Sequence, residues 1–353
     1  MPDPLVVTQA NAFRASLLRR EATQLRAMTA RWLTVERALE RGIADMVAEI
    51  DLLRAGGRTF GRNPDPYLQL ERYRALLRQT RAELAKYATW AETDITRGIA
   101  EHARLGAEQA IAQIVTAAAG DPAVLGSFNR MSVAAVENMA GVLADGAPVG
   151  ELLRGAFPES VVRMTDALIE GTALGWNPRK TAAAMAQGLG DAVLQRTMTI
   201  ARTEQLRASR TAMLENYRQS EVVRGYRVLA SKSARTCLAC LVNDGTFYEL
   251  SESYSDHPRG RCVMVPCLKG RDDPTWTRGR AWLEAQPAAK QQQVMGVGAW
   301  RAWKDGAVTL DDLVTRHEHP VWGASLGTRA LRDAVGAAAA KGYSGSAFYE
   351  QDG

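Results

Sequence analysis

The chain has 353 residues, of which 46% are hydrophobic and 24% are charged. That composition is typical of a globular protein and excludes a disordered chain, while the length allows two or three domains with a sizeable core. The formal net charge of +5 is mildly basic, so contact with nucleic acid or with an acidic partner surface is compatible with the sequence but not required by it.

The first residues, M-P-D-P-L-V-V-T-Q, show no basic segment followed by an apolar core, so we expect no signal peptide. No stretch approaches the roughly 18 apolar residues that a membrane-spanning helix needs. We therefore expect a chain that folds in the cytoplasm, where cysteines stay reduced, and that has no membrane among its partners.

Two long apolar stripes dominate the first third of the chain. Apolar positions spaced by three, four and seven residues predict one helix over about 13–53 and a second over about 70–114. A Gly-Gly pair at 56–57 and an Asn-Pro-Asp-Pro run at 63–66 break the pattern between them. Residues 1–120 are therefore predicted to form a long antiparallel helical hairpin. It is either part of a bundle core or a surface that contacts a partner.

Residues 121–225 are predicted to form a smaller all-α unit, because Gly- and Pro-containing breaks separate short helical stretches and no strand-like alternation is visible. Asn177 before Pro178 is a typical helix start. In the last helix of this unit, Arg207 follows Glu204 by three residues. That spacing predicts a structural ion pair in preference to a catalytic pair.

The pattern changes near residue 226. Residues 226–229 and 262–265 are predicted to be short strands, the second of them ended by Pro266, and an Asp-Gly pair at 244–245 is predicted to form a tight turn. Residues 226–270 are therefore predicted to form a small β-rich module between helical parts.

Beyond the module, residues 271–335 are predicted to be helical, with a break at 296–298 and a short helix starting at 310–314. Residues 336–353 are rich in Gly and Ser and are predicted to form a flexible tail. The expected fold is mainly α with a small β module, an α+β arrangement that begins with the long helical hairpin.

All four cysteines of the chain lie between residues 237 and 267, together with one of its four histidines. The C-L-A-C sequence places Cys237 and Cys240 on one tight turn, and such a turn supplies two of the four tetrahedral ligands of zinc. His257 and Cys262 supply the other two and close the site, which indicates a structural metal. Zinc bound here would contribute on the order of 10 kcal/mol to a module too small to build its own core.

Other interpretations of the cysteines stay open. Cys267 has no partner in this ligand set and could replace Cys262 or His257. Disulfides and free buried thiols are the alternatives to zinc. A redox-active C-x-x-C pair is disfavoured, because no thioredoxin-like βαβ pattern surrounds it.

Signatures of catalysis are mostly absent. The sequence has no Walker A, dinucleotide-binding, G-x-S-x-G or H-E-x-x-H motif, so we expect no catalytic residues and no small-molecule substrate. The H-E-H run at 317–319 is predicted to be a solvated loop before Pro320, with metal binding as a minor alternative. His102 is predicted to be a surface or interface residue. A zinc-supported nuclease is the competing hypothesis, because Asp256 and His257 stand beside cysteines. The asparagine and second histidine that such a nuclease needs are not evident downstream.

Three segments in combination resemble the phage Mu F-like head morphogenesis family, the minor head proteins of tailed phages and prophages. They are A-R-T-E at 201–204, R-T-C-L-A-C-L-V-N-D-G-T-F-Y at 235–248 and H-P-R-G-R-C-V-M-V-P at 257–266. The family usually has H-P-x-C-R-C in the last segment. Here Gly260 stands at the first of those two cysteines and Cys262 matches the second.

The stretches at 282–296 and 305–314 are similar to the segment that follows these motifs in many members, so the resemblance covers about residues 150–325. It implies a structural virion protein without enzymatic activity that acts in head assembly at the portal vertex, or in DNA packaging and ejection. Its implied partners are the portal protein and the major capsid or scaffold proteins. Its implied location is the host cytoplasm during assembly and then the phage head.

The net charge adds a third hypothesis, a DNA-binding accessory protein. Its contacts with DNA would be non-specific, made mostly to phosphates and therefore sensitive to salt.

Overall fold

The computed structural model describes residues 3–55, 66–120, 192–254, 256–319 and 323–344, together with six further positions between 166 and 184. The fold is mainly helical with a small antiparallel sheet and a long N-terminal helix, as the sequence predicts. Most of the all-α unit predicted over 121–225, including its helix start at Asn177, lies outside the described residues.

The helices are α1 (Leu5–Ala55), α2 (Pro66–Ala117), α3 (Ala192–Gln219), α4 (Leu238–Asn243), α5 (Gly279–Glu284), α6 (Ala288–Met295), α7 (Val297–Lys304), α8 (Leu331–Val335) and α9 (Ala337–Ser344). The strands are β1 (Val223–Leu229), β2 (Phe247–Glu249), β3 (Val263–Leu268), β4 (Val314–His319) and β5 (Gly323–Thr328). None of the helices among the described residues combines the length and apolar character that crossing a membrane requires.

The chain forms two compact units, each assembled from separated stretches. Unit 1 consists of Met1–Leu18, Ile99–Gly146 and Thr203–Gly353, and unit 2 of Arg19–Gly98 and Ala147–Arg202. The predicted domains, in contrast, are consecutive ranges of the chain.

In unit 2 the helices α1 and α2 pack side by side and run antiparallel. The amide of Gln24 donates to Asp94 Oδ2 at 2.9 Å, and the rings of Trp32 and Tyr87 meet edge to face at 5.1 Å. Residue numbers rise along α1 as they fall along α2, so the predicted antiparallel pairing is correct for this part of the chain. The turn predicted at 56–66 falls almost wholly outside the described residues.

In unit 1 the strands β1, β2 and β3 form an antiparallel sheet in the order β2-β1-β3. Tyr226 of the central strand pairs with Tyr248 on one side and with Pro266 on the other. The prediction that Pro266 ends its strand is wrong, because β3 continues to Leu268. An edge strand tolerates proline, since the missing N–H can face away from the neighbouring strand.

Helices cover both faces of this sheet. Successive residues of β3 point to opposite faces, so Val263 and Val265 pack in one cluster while Met264 packs in another. The first cluster is completed from α1 by Val6, Val7 and Ala10. The second is completed from α1, α2 and α3 by residues that include Leu17, Ile114, Leu206, Met213 and Tyr217. The β module therefore shares a core with three long helices.

The C-terminal part of unit 1 differs from the prediction in three places. The helix expected from Leu310 is a turn that leads into β4, and the H-E-H run at 317–319 lies in that strand, not in a loop. β4 pairs with β5, so the segment 271–335 is not wholly helical. Where the tail was expected to be flexible from residue 336, Ala337–Ser344 forms α9. Residues 345–353 lie outside the described part of the chain.

His102, predicted to be a surface or interface residue, is only 3% exposed on α2 and lies inside the fold. An amphipathic pattern does not tell a polar residue at the edge of the apolar stripe from one inside it.

Candidate metal centre

Cys237 and Cys240 stand at the start of α4. Cys237 is the N-cap residue in extended conformation, and its Sγ accepts the backbone N–H of Cys240 at 3.4 Å. The C-x-x-C sequence therefore folds as a helix cap, which holds both sulfur atoms at the same end of the helix. Leu238 and Leu241, on the other side of α4, pack into the C-terminal core and fix the helix in place.

His257 faces the two sulfur atoms from the loop that leads into β3. Its Nδ1 lies 2.9 Å from the carbonyl oxygen of Pro258, to which it donates, and its Nε2 lies 3.3 Å from Cys237 Sγ and 3.3 Å from Cys240 Sγ. The hydrogen bond to Pro258 assigns a proton to Nδ1. It therefore leaves Nε2 as the nitrogen that can bind a metal.

Asp256 lies buried at the centre of this loop, with its side chain 1% exposed. Oδ1 accepts the backbone N–H of His257 at 3.0 Å and lies 3.8 Å from Cys240 Sγ. Oδ2 accepts the backbone N–H of Cys262 at 3.1 Å. The sequence placed Asp256 only in the nuclease hypothesis and gave no sign of this bracing role.

Side chains of helix α3 form hydrogen bonds with the backbone of the same loop. The buried Arg210 donates to the carbonyl oxygens of Cys262 at 3.3 Å and Gly260 at 3.5 Å, and it lies 3.5 Å from Asp256 Oδ2. The backbone N–H of Arg259 donates to Thr203 Oγ1 at 3.2 Å. The sequence did not single out these α3 contacts, whose only signal is that Thr203 belongs to the A-R-T-E segment.

The ion pair predicted on α3 is present. Arg207 Nη2 lies 2.6 Å from the Glu204 carboxylate, whose side chain is 1% exposed. Its position on the helix that supports the loop agrees with a structural role.

The donor atoms fall into two overlapping groups, Cys237 with Cys240 and His257, and Cys240 with Asp256 and Cys262. Within each group all atoms lie within 4.8 Å of one another. Cys240 belongs to both groups, so the four ligands predicted from the sequence lie close together, with Asp256 beside them. Zinc bonds of about 2.3 Å to sulfur and about 2.0 Å to nitrogen separate the two atoms by about 3.6 Å in a tetrahedron. The two sulfur–Nε2 distances of 3.3 Å fit that requirement.

Proton affinities in the cluster follow from the same contacts. The pKa of the Cys237 thiol is lowered, chiefly by the hydrogen bond from Cys240 and further by His257, against the opposing effect of burial. The pKa of Cys240 is raised by donating that hydrogen bond, by its hydrogen bond with Cys262 and by burial. The pKa of His257 is raised to about 9, mainly by its hydrogen bond with Cys237. Metal binding by these groups would displace the protons that they still hold.

Cys267 lies apart from this cluster, on β3. Burial, together with a hydrogen bond to Asp273, raises the pKa of its thiol to about 12. It belongs to neither donor group found among the described residues. All four cysteines are free thiols.

Comparisons of the chain with protein-family models, with curated proteins and with solved structures found no match.

Proposed function

We propose that this chain is a structural minor head protein of a tailed phage or prophage, of the phage Mu F-like type, whose Cys/His cluster holds a zinc ion. The supporting observation is that the three separate motif segments meet in one place. The segments lie on one loop, one helix cap and the face of α3 that contacts the loop. The first segment contributes Thr203, the second Cys237 and Cys240, and the third His257 and Cys262.

Zinc has a structural role in this proposal. When bound by Cys237, Cys240, His257 and Cys262 it has no open position for substrate, which is the ligand arrangement of structural sites. The ion would tie the start of α4 to the loop before β3. What supports this choice over magnesium or calcium is the donor set, since three sulfur atoms and one imidazole nitrogen suit a softer ion.

The partners in the proposal are the portal protein and the capsid or scaffold proteins. We assign their contact to the long helices of unit 2, where α1 leaves Leu33 42% exposed and Leu52 72% exposed. The location follows from the role, first the host cytoplasm and then the phage head. Non-specific DNA contact is compatible with the net charge of +5 and would weaken steeply with salt.

The head role is tested in the phage or prophage that encodes the chain. We expect the protein in purified particles by mass spectrometry at a low copy number. We also expect its deletion to reduce the yield of DNA-filled heads, and a tagged chain to co-purify with the portal protein. Particles that lack the chain, together with a normal yield after deletion, would contradict the proposal.

The zinc site is tested on the purified full chain. Metal analysis is expected to give one zinc per chain for the wild type and for Cys267→Ser, whose thiol lies outside the donor groups. Cys237→Ser is expected to lose most of the metal. A stoichiometry near zero in the wild type, with two disulfides by mass, would replace zinc by the disulfide alternative.

The competing nuclease hypothesis makes a different prediction. It requires cleavage of a supercoiled plasmid in the presence of magnesium or manganese, and loss of that cleavage in His257→Ala. In our proposal neither the wild-type chain nor His257→Ala nicks the plasmid above the level of a mock preparation. Metal-dependent cleavage that disappears in the variant would overturn the structural role.

A further inference from the structure

The carboxylate of Asp256 is hydrogen-bonded to the main chain at two residues of the metal cluster. Its two oxygens accept the backbone N–H of His257 and of Cys262, two of the four proposed ligands, at 3.0 and 3.1 Å. The same carboxylate lies 3.8 Å from the sulfur of a third ligand, Cys240. It therefore contacts three ligand residues at once while its charge is balanced by Arg210 at 3.5 Å.

Gly260 supplies the space that this carboxylate fills. A Cβ atom built at position 260 would lie 2.0 Å from Asp256 Cγ and 2.2 Å from each carboxylate oxygen. The φ angle of Gly260 is not in the left-handed region, so the backbone itself does not call for glycine. The requirement is steric, and it comes from Asp256.

We propose that Asp256 and Gly260 form one unit that sets the geometry of the metal centre, with Asp256 as the positioning residue and Gly260 as the gap that admits it. The inference rests on the proposed zinc site. It goes beyond that site because neither residue belongs to the four-ligand set, and because it makes the two positions depend on each other.

The geometry favours positioning over direct metal binding. Both oxygens of Asp256 already accept backbone N–H groups, and Arg210 occupies the side of Oδ2. Outer hydrogen-bond partners of this kind hold ligands in orientation, and removing them typically weakens metal binding about 10- to 100-fold.

The pairing also accounts for glycine at position 260, where the H-P-x-C-R-C pattern of the resembled family has cysteine. A cysteine there would need its Cβ where the carboxylate of Asp256 lies, so the two side chains exclude each other in this loop. Any substitution at 260 larger than glycine is expected to push Asp256 off the backbone of Cys262 and so to loosen one ligand.

The test is a double-mutant cycle on zinc affinity, measured by competition with a chelator on the full chain. Asp256→Asn and Gly260→Ala are each expected to weaken binding about 10- to 100-fold. Asp256→Ala combined with Gly260→Ala should bind no more weakly than Asp256→Ala alone, because the clash disappears with the carboxylate. The matched controls are Asp272→Asn, an exposed carboxylate, and Gly342→Ala, where a Cβ meets nothing within 4 Å.

Cobalt in place of zinc gives a second readout that a loss of stability alone would not move. The sulfur-to-cobalt charge-transfer absorption is expected to weaken in Asp256→Asn, because Cys262 is no longer held in position. Circular dichroism of the metal-free variants checks that they remain folded.

The outcomes separate the two proposals. Wild-type protein that binds neither zinc nor cobalt overturns the zinc site and this inference together. Wild-type binding with an unchanged Asp256→Asn, or strictly additive losses in the cycle, overturns the inference and leaves the zinc site standing.

Discussion

The guanidinium of Arg14, near the start of α1, donates to the carbonyl oxygen of Leu229 at the end of β1, at a distance of 3.1 Å and across 215 positions of sequence. Both groups are buried, and burial lowers the pKa of Arg14 although nearby charges oppose that effect. The contact fastens the first turns of α1 to the β sheet.

We expect Arg14→Ala to destabilise the chain by about 1–3 kcal/mol, because it leaves a buried carbonyl without its charged donor. Urea unfolding followed by circular dichroism measures the change. Arg26→Ala, at an exposed position of the same helix, should stay within about 0.5 kcal/mol of the wild type. Equal effects at the two positions would mean that the contact contributes nothing specific.

Asp244 gathers three donors, two of them buried, on one carboxylate. It accepts from the backbone N–H of Ala230 at 2.7 Å, from Lys232 Nζ at 2.9 Å and from the indole of Trp276 at 3.1 Å. Asp244→Ala is expected to lower the free energy of unfolding by about 3–5 kcal/mol, because it leaves a half-buried ammonium and two neutral donors without their acceptor. Thermal unfolding measures the loss, and the exposed Asp272→Ala serves as control. A shift no larger than the control's would disprove the role of Asp244 as a hub.

Gln113 of α2 joins two elements inside the core of unit 1. Its amide donates to the carbonyl oxygen of Met264 at 3.2 Å, and its oxygen accepts the hydroxyl of Tyr217. Tyr217→Phe leaves that oxygen buried without its donor, so we expect a loss of about 1–3 kcal/mol. The same change at Tyr343, which is half-buried, should have little effect on the denaturant midpoint. A neutral Tyr217→Phe would show that water replaces the hydroxyl.

Asp273 makes stability depend on pH. Burial would raise its pKa, but hydrogen bonds from Arg227 and from the Cys267 thiol, with the charges of Arg227 and Arg224, lower it below its usual value. A carboxyl with a lowered folded pKa stabilises the fold above its unfolded pKa, and that contribution disappears as pH falls through the folded value.

The stability difference between wild type and Asp273→Asn should therefore be largest near neutral pH, at about 1 kcal/mol or less because the site is partly exposed. It should shrink as pH falls below about 4. Unfolding curves recorded across that interval check the sign. A difference that grows with acidity would contradict it.

Metal removal should destabilise the β module without unfolding the chain. Small zinc modules unfold when their metal is removed because the ion replaces a core. Here the sheet packs on α1, α2 and α3 through both of its faces. A chelator is expected to lower the melting temperature of the wild type and to leave Cys237→Ser unchanged. Full unfolding on chelation would show that the shared core is too weak to hold the sheet.

The sequence predicted the elements whose signals are local. The apolar stripes of α1 and α2 are long and regular, the Asp-Gly turn is distinctive, and the Cys/His spacing brought four ligands together before any geometry was known. Each of these depends on residues that are near one another in the chain.

The missed features depend on distant neighbours or on weak local signals. No sequence pattern around Asp256 predicts that Gly260 leaves room for its carboxylate, and none around Arg14 predicts its contact with Leu229. The strand at 314–319 carries no apolar alternation, and its sequence therefore predicts a short helix starting at 310–314 and a solvated loop at 317–319 instead. The strand-breaking tendency of Pro266 was overestimated, because its tolerance depends on β3 having only one neighbour in the sheet.

The wide separation between Arg14 and Leu229 has a consequence for synthesis on the ribosome. The first turns of α1 emerge early, yet the strands they cover follow about 200 residues later. Until β3 has left the exit tunnel, Val6, Val7 and Ala10 have no sheet to pack against. Capture of the proposed zinc ion is therefore expected only after β3 has been made, and the start of α1 is the segment that chaperones would shield until then.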